Sequence, residues 1–145
     1  MPDRGTINDG RPTTTAPPSP ALAVSNEMVR LLSRYTGRGP TKARTTLNTN
    51  VVVVTFHDTL TKGEQNLAAA GHVEAVMTMR RTFHELMREE ASAAISRILG
   101  RSVTACLSDV DPIANVAAMV FILDAQAESG RVDVKDSESA AHELR

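Results

Sequence analysis

The stretch "VVVVTFH", Val51–His57, decides the fold. Its β-branched and aromatic residues favour a pleated, packed strand. Val52, Val54 and Phe56 point to one face, and Val51, Val53, Thr55 and His57 to the other. A strand that is apolar on both faces needs cover on both. The run "VAAMVFILD", starting at Val116, has the same character. Just upstream of Val51, "KARTTLNTN" supplies a partner strand and a turn, because Asn48 and Asn50 tolerate positive φ. "RSVTACLSD" reads as a further strand with Val103, Ala105 and Leu107 on one face, and "DVDPIAN" links it to the last strand.

Helical periodicity fills the segments around these strands. Met28, Leu31, Leu32 and Tyr35 share one face of a first helix. Ser25 is a suitable N-cap for it, and Pro20 an earlier start. Gly37, Gly39 and Pro40 end it. Thr61 and Glu64 have the spacing of a capping box, which predicts a short helix to about Ala70, broken by Gly71. The third helix spans Val73 to Leu99, with a predicted apolar stripe that includes Val76, Met79, Phe83, Leu86, Met87 and Ile95, and Gly100 as its C-cap. The expected architecture is α+β: a four-stranded antiparallel sheet of two hairpins with helices packed on it, in the order α-ββ-α-α-ββ.

The chain has 145 residues, which fits a single domain. Residues 1–20 are Pro- and Thr-rich and residues 125–145 are polar, so both read as flexible tails around a domain at 21–124. Apolar residues make up 41% but aromatics only 3%, so the core must be aliphatic. A net charge of −1 removes any whole-chain electrostatic case for nucleic acid or membrane binding. The single cysteine, Cys106, cannot close an internal disulfide, which fits a reducing compartment. Neither a membrane-spanning run nor a secretory leader is legible. The expectation is a soluble, cytoplasmic protein without direct membrane insertion.

The run "TGRGPTKAR", then "VVVVTFHDTLTKGEQNLA", "RRTF", "ILGRSVTACLSDVDP" and "VFILD" resembles a bacterial family, the MpsC-like family. The resemblance covers roughly residues 25–124 and rests on the order and spacing of these pieces. It implies a soluble accessory component of a membrane-potential-generating system, linked to cation or bicarbonate transport. It carries over no catalytic residue. The Pro/Thr-rich N-terminal tail departs from a minimal member of the family.

Two basic sets are candidates for contact with an anion or an acidic partner. Arg34, Arg38, Lys42 and Arg44 fall within 11 residues with no acid among them. Arg81, His84 and Arg88 stand at i, i+3 and i+7 on the third helix, with Arg80 beside them and Phe83 and Leu86 broadly opposite. Each set also has a plainer role. The first compensates a helix C-terminal dipole; the second is a solvent face with Glu85 and Glu89 near for pairing. From Arg30 to Arg101 there are 11 Lys and Arg against 6 Asp and Glu, so a mildly basic surface is legible. Scarce aromatics argue against base stacking, which leaves an RNA- or anion-binding module as the alternative reading.

Enzyme patterns fail in turn. The loop at Gly37–Arg44 lacks the G-x-x-x-x-G-K-[ST] arrangement that cradles phosphates. "HELMR" places Arg88 where a zinc-binding helix needs its second His. Cys106 lies mid-strand, where a buried, inert thiol is the default, and a reactive one needs a cationic, exposed setting. The expectation is a non-catalytic accessory or regulatory protein that needs neither cofactor nor metal. Because one helical layer covers only one face of a sheet, a homo-oligomer follows, most simply a dimer, with Val51, Val53, Val120 and Ile122 at the interface. A membrane transport protein is the expected client.

Overall fold

A computed structural model describes residues 16–125; the two predicted tails lie outside them except for residues 16–20 and Ala125. Helix α1 spans Pro20–Thr36, strands β1 and β2 span Lys42–Leu47 and Val51–His57, and helices α2 and α3 span Lys62–Ala69 and Val73–Leu99. Strands β3, Val103–Asp111, and β4, Val116–Leu123, complete the order. The sheet runs β1-β2-β4-β3 and every pair is antiparallel. The α+β fold and the α-ββ-α-α-ββ order follow the sequence reading.

The two doubly apolar strands sit at the centre of the sheet, where both of their edges are paired. Val52, Val54 and Phe56 of β2 meet Ala117, Met119 and Phe121 of β4 on the covered face. Val24, Met28, Leu31 and Leu32 of α1 and Met87, Ala91 and Ile95 of α3 close the core over them. Helix α1 packs on β1 and α3 on β3, and the two helices touch each other. The domain is thus two α-β-β halves joined at the β2–β4 seam, with α2 between them. No repeat is visible in the sequence, because the two halves share geometry and not residues.

Local chemistry sets the element ends. Ser19 caps α1 by accepting the Leu22 amide at 3.2 Å, with Pro20 at the first helical position. The helix therefore starts at the earlier of the two predicted points. Ser25 is buried inside it and bonds the Thr45 hydroxyl of β1 at 2.7 Å. Gly37 ends the helix at φ 79 and Gly100 ends α3 at φ 66, both left-handed positions that suit glycine. Gly39 answers a different constraint: a Cβ there would come 2.7 Å from the Ser33 hydroxyl oxygen.

Three local expectations change. The β1–β2 turn closes between Asn48 and Val51, yet neither Asn48 nor Asn50 adopts positive φ. Arg101 holds the turn instead, bonding the Thr49 carbonyl, the Asn50 side chain and the Asp124 carbonyl. In β3 an irregularity between Val103 and Ala105 turns Val103 towards the core while Ala105 and Leu107 stay outside. On α3, Met79 and Leu86 are exposed, and Arg80 and His84 take the buried positions.

Candidate interaction surface

The seven predicted contact residues do not gather. Arg34 pairs with Glu90 across the α1–α3 contact, and its guanidinium lies over the Tyr35 ring. The Tyr35 hydroxyl donates to the same carboxylate. These two donors hold Glu90 below the usual carboxylate range. Arg38 pairs with Asp58 at 3.0 Å, and Arg81 with Asp109 at 3.1 Å. Lys42 and Arg44 lie on β1, at the opposite edge of the sheet from the Asp109 strand that Arg81 reaches. Lys42, Arg44 and Arg88 are exposed and make no ion pair among the described residues.

His84 corrects the sequence reading. It is not on a solvent-facing stripe with Arg81 and Arg88; only 1% of it is exposed. Burial, and then the charge of Arg80, push its imidazole down to about 4. It is therefore neutral at pH 7. The helix turns this side inward because Arg80, one turn earlier, is needed beneath α2. Arg80 bonds both Glu64 carboxylate oxygens at 2.6 Å and the Thr59 carbonyl at 2.7 Å. Burial alone would raise the Glu64 carboxyl, but Arg80 and the Thr61 amide and hydroxyl outweigh it and hold it low. The Thr61–Glu64 capping box and the buried ion pair thus share one carboxylate. Arg80 Nη1 and His84 Nδ1 are buried without a hydrogen-bond partner among the described residues.

A second polar network explains the Gly37–Arg44 loop. Arg38 bonds Asp58, whose other carboxylate oxygen accepts the Asn115 side-chain amide at 3.1 Å. The Asn115 side-chain oxygen accepts the Thr59 and Leu60 amides at 3.0 and 3.1 Å. Asp58 and Asn115 both hold φ near 55, the left-handed region that their side chains tolerate. One Arg thereby fastens the α1–β1 loop to the β2–α2 loop and the β3–β4 turn. Replacing Asn115 with alanine strips two buried amides of their acceptor and leaves a strained backbone. We expect a loss of about 2 kcal/mol in urea unfolding; Asn115→Asp keeps the acceptor but replaces the donor to Asp58 with a second carboxylate, so it should not rescue the stability at pH 7.

Beside this network, α2 and the β3–β4 turn enclose a groove of about 280 Å³. Ala68, Ala69, Pro112 and Ile113 line it, with Gln65 and Asn115 as its polar groups. It contains no titratable side chain. Cys106 is half-buried at the margin of the core, and that burial pushes its thiol up, away from nucleophilic form at pH 7. Among the described residues no group of three or more His, Cys, Asp or Glu is placed to hold a metal ion.

The remaining feature is the sheet face that the helices leave bare. Val51 and Val53 of β2, and Val120 and Ile122 of β4, point to it side by side and are partly exposed. Leu107, the neighbour of Val120 on β3, is 56% exposed. A shallow depression of about 360 Å³ lies among Leu107, Asp109, Ala118 and Val120, because Ala118 is too small to fill the space between its neighbours. Lys42 and Arg44 border this face along β1, and Asp109 and Asp111 along β3. The sequence pattern located the apolar centre; the opposite charges of the two rims emerge only from the strand order.

A four-stranded antiparallel sheet with helices on one face and an apolar face opposite defines a small α+β domain. The chain belongs to the MpsC family, described as a Na+-translocating membrane potential-generating system, whose model matches residues 21–125. No curated protein and no solved structure matches the chain. No helix among the described residues is long and apolar enough to cross a membrane.

Proposed function

We propose that this protein is a non-catalytic accessory subunit of a membrane ion-translocating system, and that it works as a homo-oligomer held by the bare sheet face. The observation that carries the reading is that face: an apolar surface presented by a member of a family described by a membrane system. The polar groups support a structural role for the domain. Arg38, Asp58, Glu64 and Arg80 serve internal pairs, and the α2 groove offers only amides and hydrocarbon. Contact with the membrane system then runs through a protein client.

Affinity purification of the tagged full chain from its own cells tests this, with membrane and soluble fractions kept apart and nuclease added. The expected result is an integral membrane protein that co-purifies from the membrane fraction and survives nuclease. Nuclease-sensitive material recovered in its place would overturn the reading in favour of an RNA-binding module. Such binding would fall steeply with salt, as phosphate contacts do.

A further inference from the structure

The bare sheet face is complementary to itself, and its charges select one way for two copies to meet. The ladder registers align its residues in rows across the four strands. One row reads Arg44–Thr55–Ala118–Asp109 and the next Lys42–His57–Val116–Asp111. Both begin with a cation on β1 and end with an acid on β3. The row on the other side of Arg44 is Thr46–Val53–Val120–Leu107, and beyond it Val51 pairs with Ile122.

We propose that a second copy of this chain covers the face through a two-fold axis parallel to the strands. That axis lays β1 of one copy over β3 of the other. Arg44 then faces the second copy's Asp109, Lys42 faces its Asp111, and Val53 faces its Val120. The other aligned packing, with the axis across the strands, lays β1 on β1 and β3 on β3, so no cation of one rim meets an acid of the other. Facing sheets pack about 10 Å apart with strands aligned to within about 30°. The depression beside Asp109 suits an arginine: Leu107, Ala118 and Val120 meet the aliphatic stem and the carboxylate meets the head. Asp109 is shared with Arg81 of its own chain but keeps 65% of its side chain exposed. Strands about 4.8 Å apart and rows about 6.8 Å apart give each copy a face of roughly 500 Å². The pair buries roughly 1,000 Å², in the range of weak, transient interfaces, so the dimer is concentration-dependent.

This inference rests on the homo-oligomer reading, and the experiment separates the two. Sedimentation velocity on the full chain at about 50 μM is expected to show a dimer. Arg44→Glu and Asp109→Lys each set two like-charge pairs across the axis and weaken the dimer at least about tenfold. An equimolar mixture of those two variants restores it, because each like pair becomes an opposite pair only in the mixed dimer. An effect confined within one chain has no route to that recovery. A monomeric native chain would overturn the homo-oligomer reading and this inference with it. A dimer indifferent to both substitutions, or variants that fail to complement, would overturn the orientation alone. If Asp109→Lys disturbs the melting curve through Arg81, Asp109→Asn serves in its place: it keeps an acceptor for Arg81 and must still weaken the dimer.

Discussion

Replacing Glu64 with leucine should lower the stability of the domain by about 3–5 kcal/mol, the usual consequence of stranding one partner of a buried ion pair. Arg80 would remain, 1% exposed, with its strongest acceptor gone and one guanidinium nitrogen already unpartnered. The same substitution removes the capping-box acceptor from the Thr61 amide. For a domain of this size, such a loss lowers the melting temperature by roughly 15 °C or more. The pair itself is a separate matter. The double variant Glu64→Leu with Arg80→Met should recover most of the loss, since a buried ion pair is commonly matched by hydrocarbon of similar volume. Calorimetry on the single and double variants checks both statements. A single variant that melts within a few degrees of the native chain would show that water reaches Arg80.

Mild acid should destabilise the protein before its carboxylates titrate. His84 has its native pKa at about 4, below its ordinary value of 6.5, so the unfolded chain binds a proton that the folded chain refuses. Stability from this group is complete above pH 6.5 and is lost as pH falls, levelling off below about 4. The loss is about 2 kcal/mol between pH 7 and pH 5, and about 3 kcal/mol in all. Burial is the main cause; of the two charges nearby, Arg80 also opposes protonation and Asp109 favours it. The carboxylates held low, Glu64 and Glu90 among them, contribute their own loss only at lower pH, below the ordinary carboxylate value. Urea unfolding at pH 7 and pH 5 should therefore show a slope that His84→Leu abolishes. An unchanged slope in the variant would assign the acid sensitivity elsewhere.

Periodicity reads backbone geometry well and charge placement poorly, and this chain shows why. Val51–His57 announced a strand that needs cover on both faces, because hydrocarbon on both faces has one physical meaning. Thr61 and Glu64 announced a helix start, and the capping box is present. Arg80 and His84 were read as solvent-facing because polar residues usually are. Their burial depends on Glu64, 16 residues earlier in the chain, meeting Arg80 inside. Nothing in local spacing encodes that meeting. Arg38 was legible as a cation in a loop, but its use as a fastener needed Asp58 and Asn115 to converge from two other connections. The charged rims of the sheet were hidden for the same reason: they exist only once β1 and β3 become opposite edges.

The two-halves arrangement bears on how the chain reaches its native state. Each hairpin forms between near neighbours, through short turns closed between Asn48 and Val51 in one half and capped by Asp111 in the other. The seam between them joins Val51 to Ile122 and His57 to Val116, and the whole of α2 and α3 lies in the intervening chain. Closing that long loop is the entropic barrier. Val54 and Met119, paired at the middle of the seam, should then govern the rate of folding, as should the hairpin turns already formed when the barrier is crossed. Until the seam closes, both doubly apolar strands present an open edge to other chains, so the interval before docking is when the protein is most exposed to aggregation.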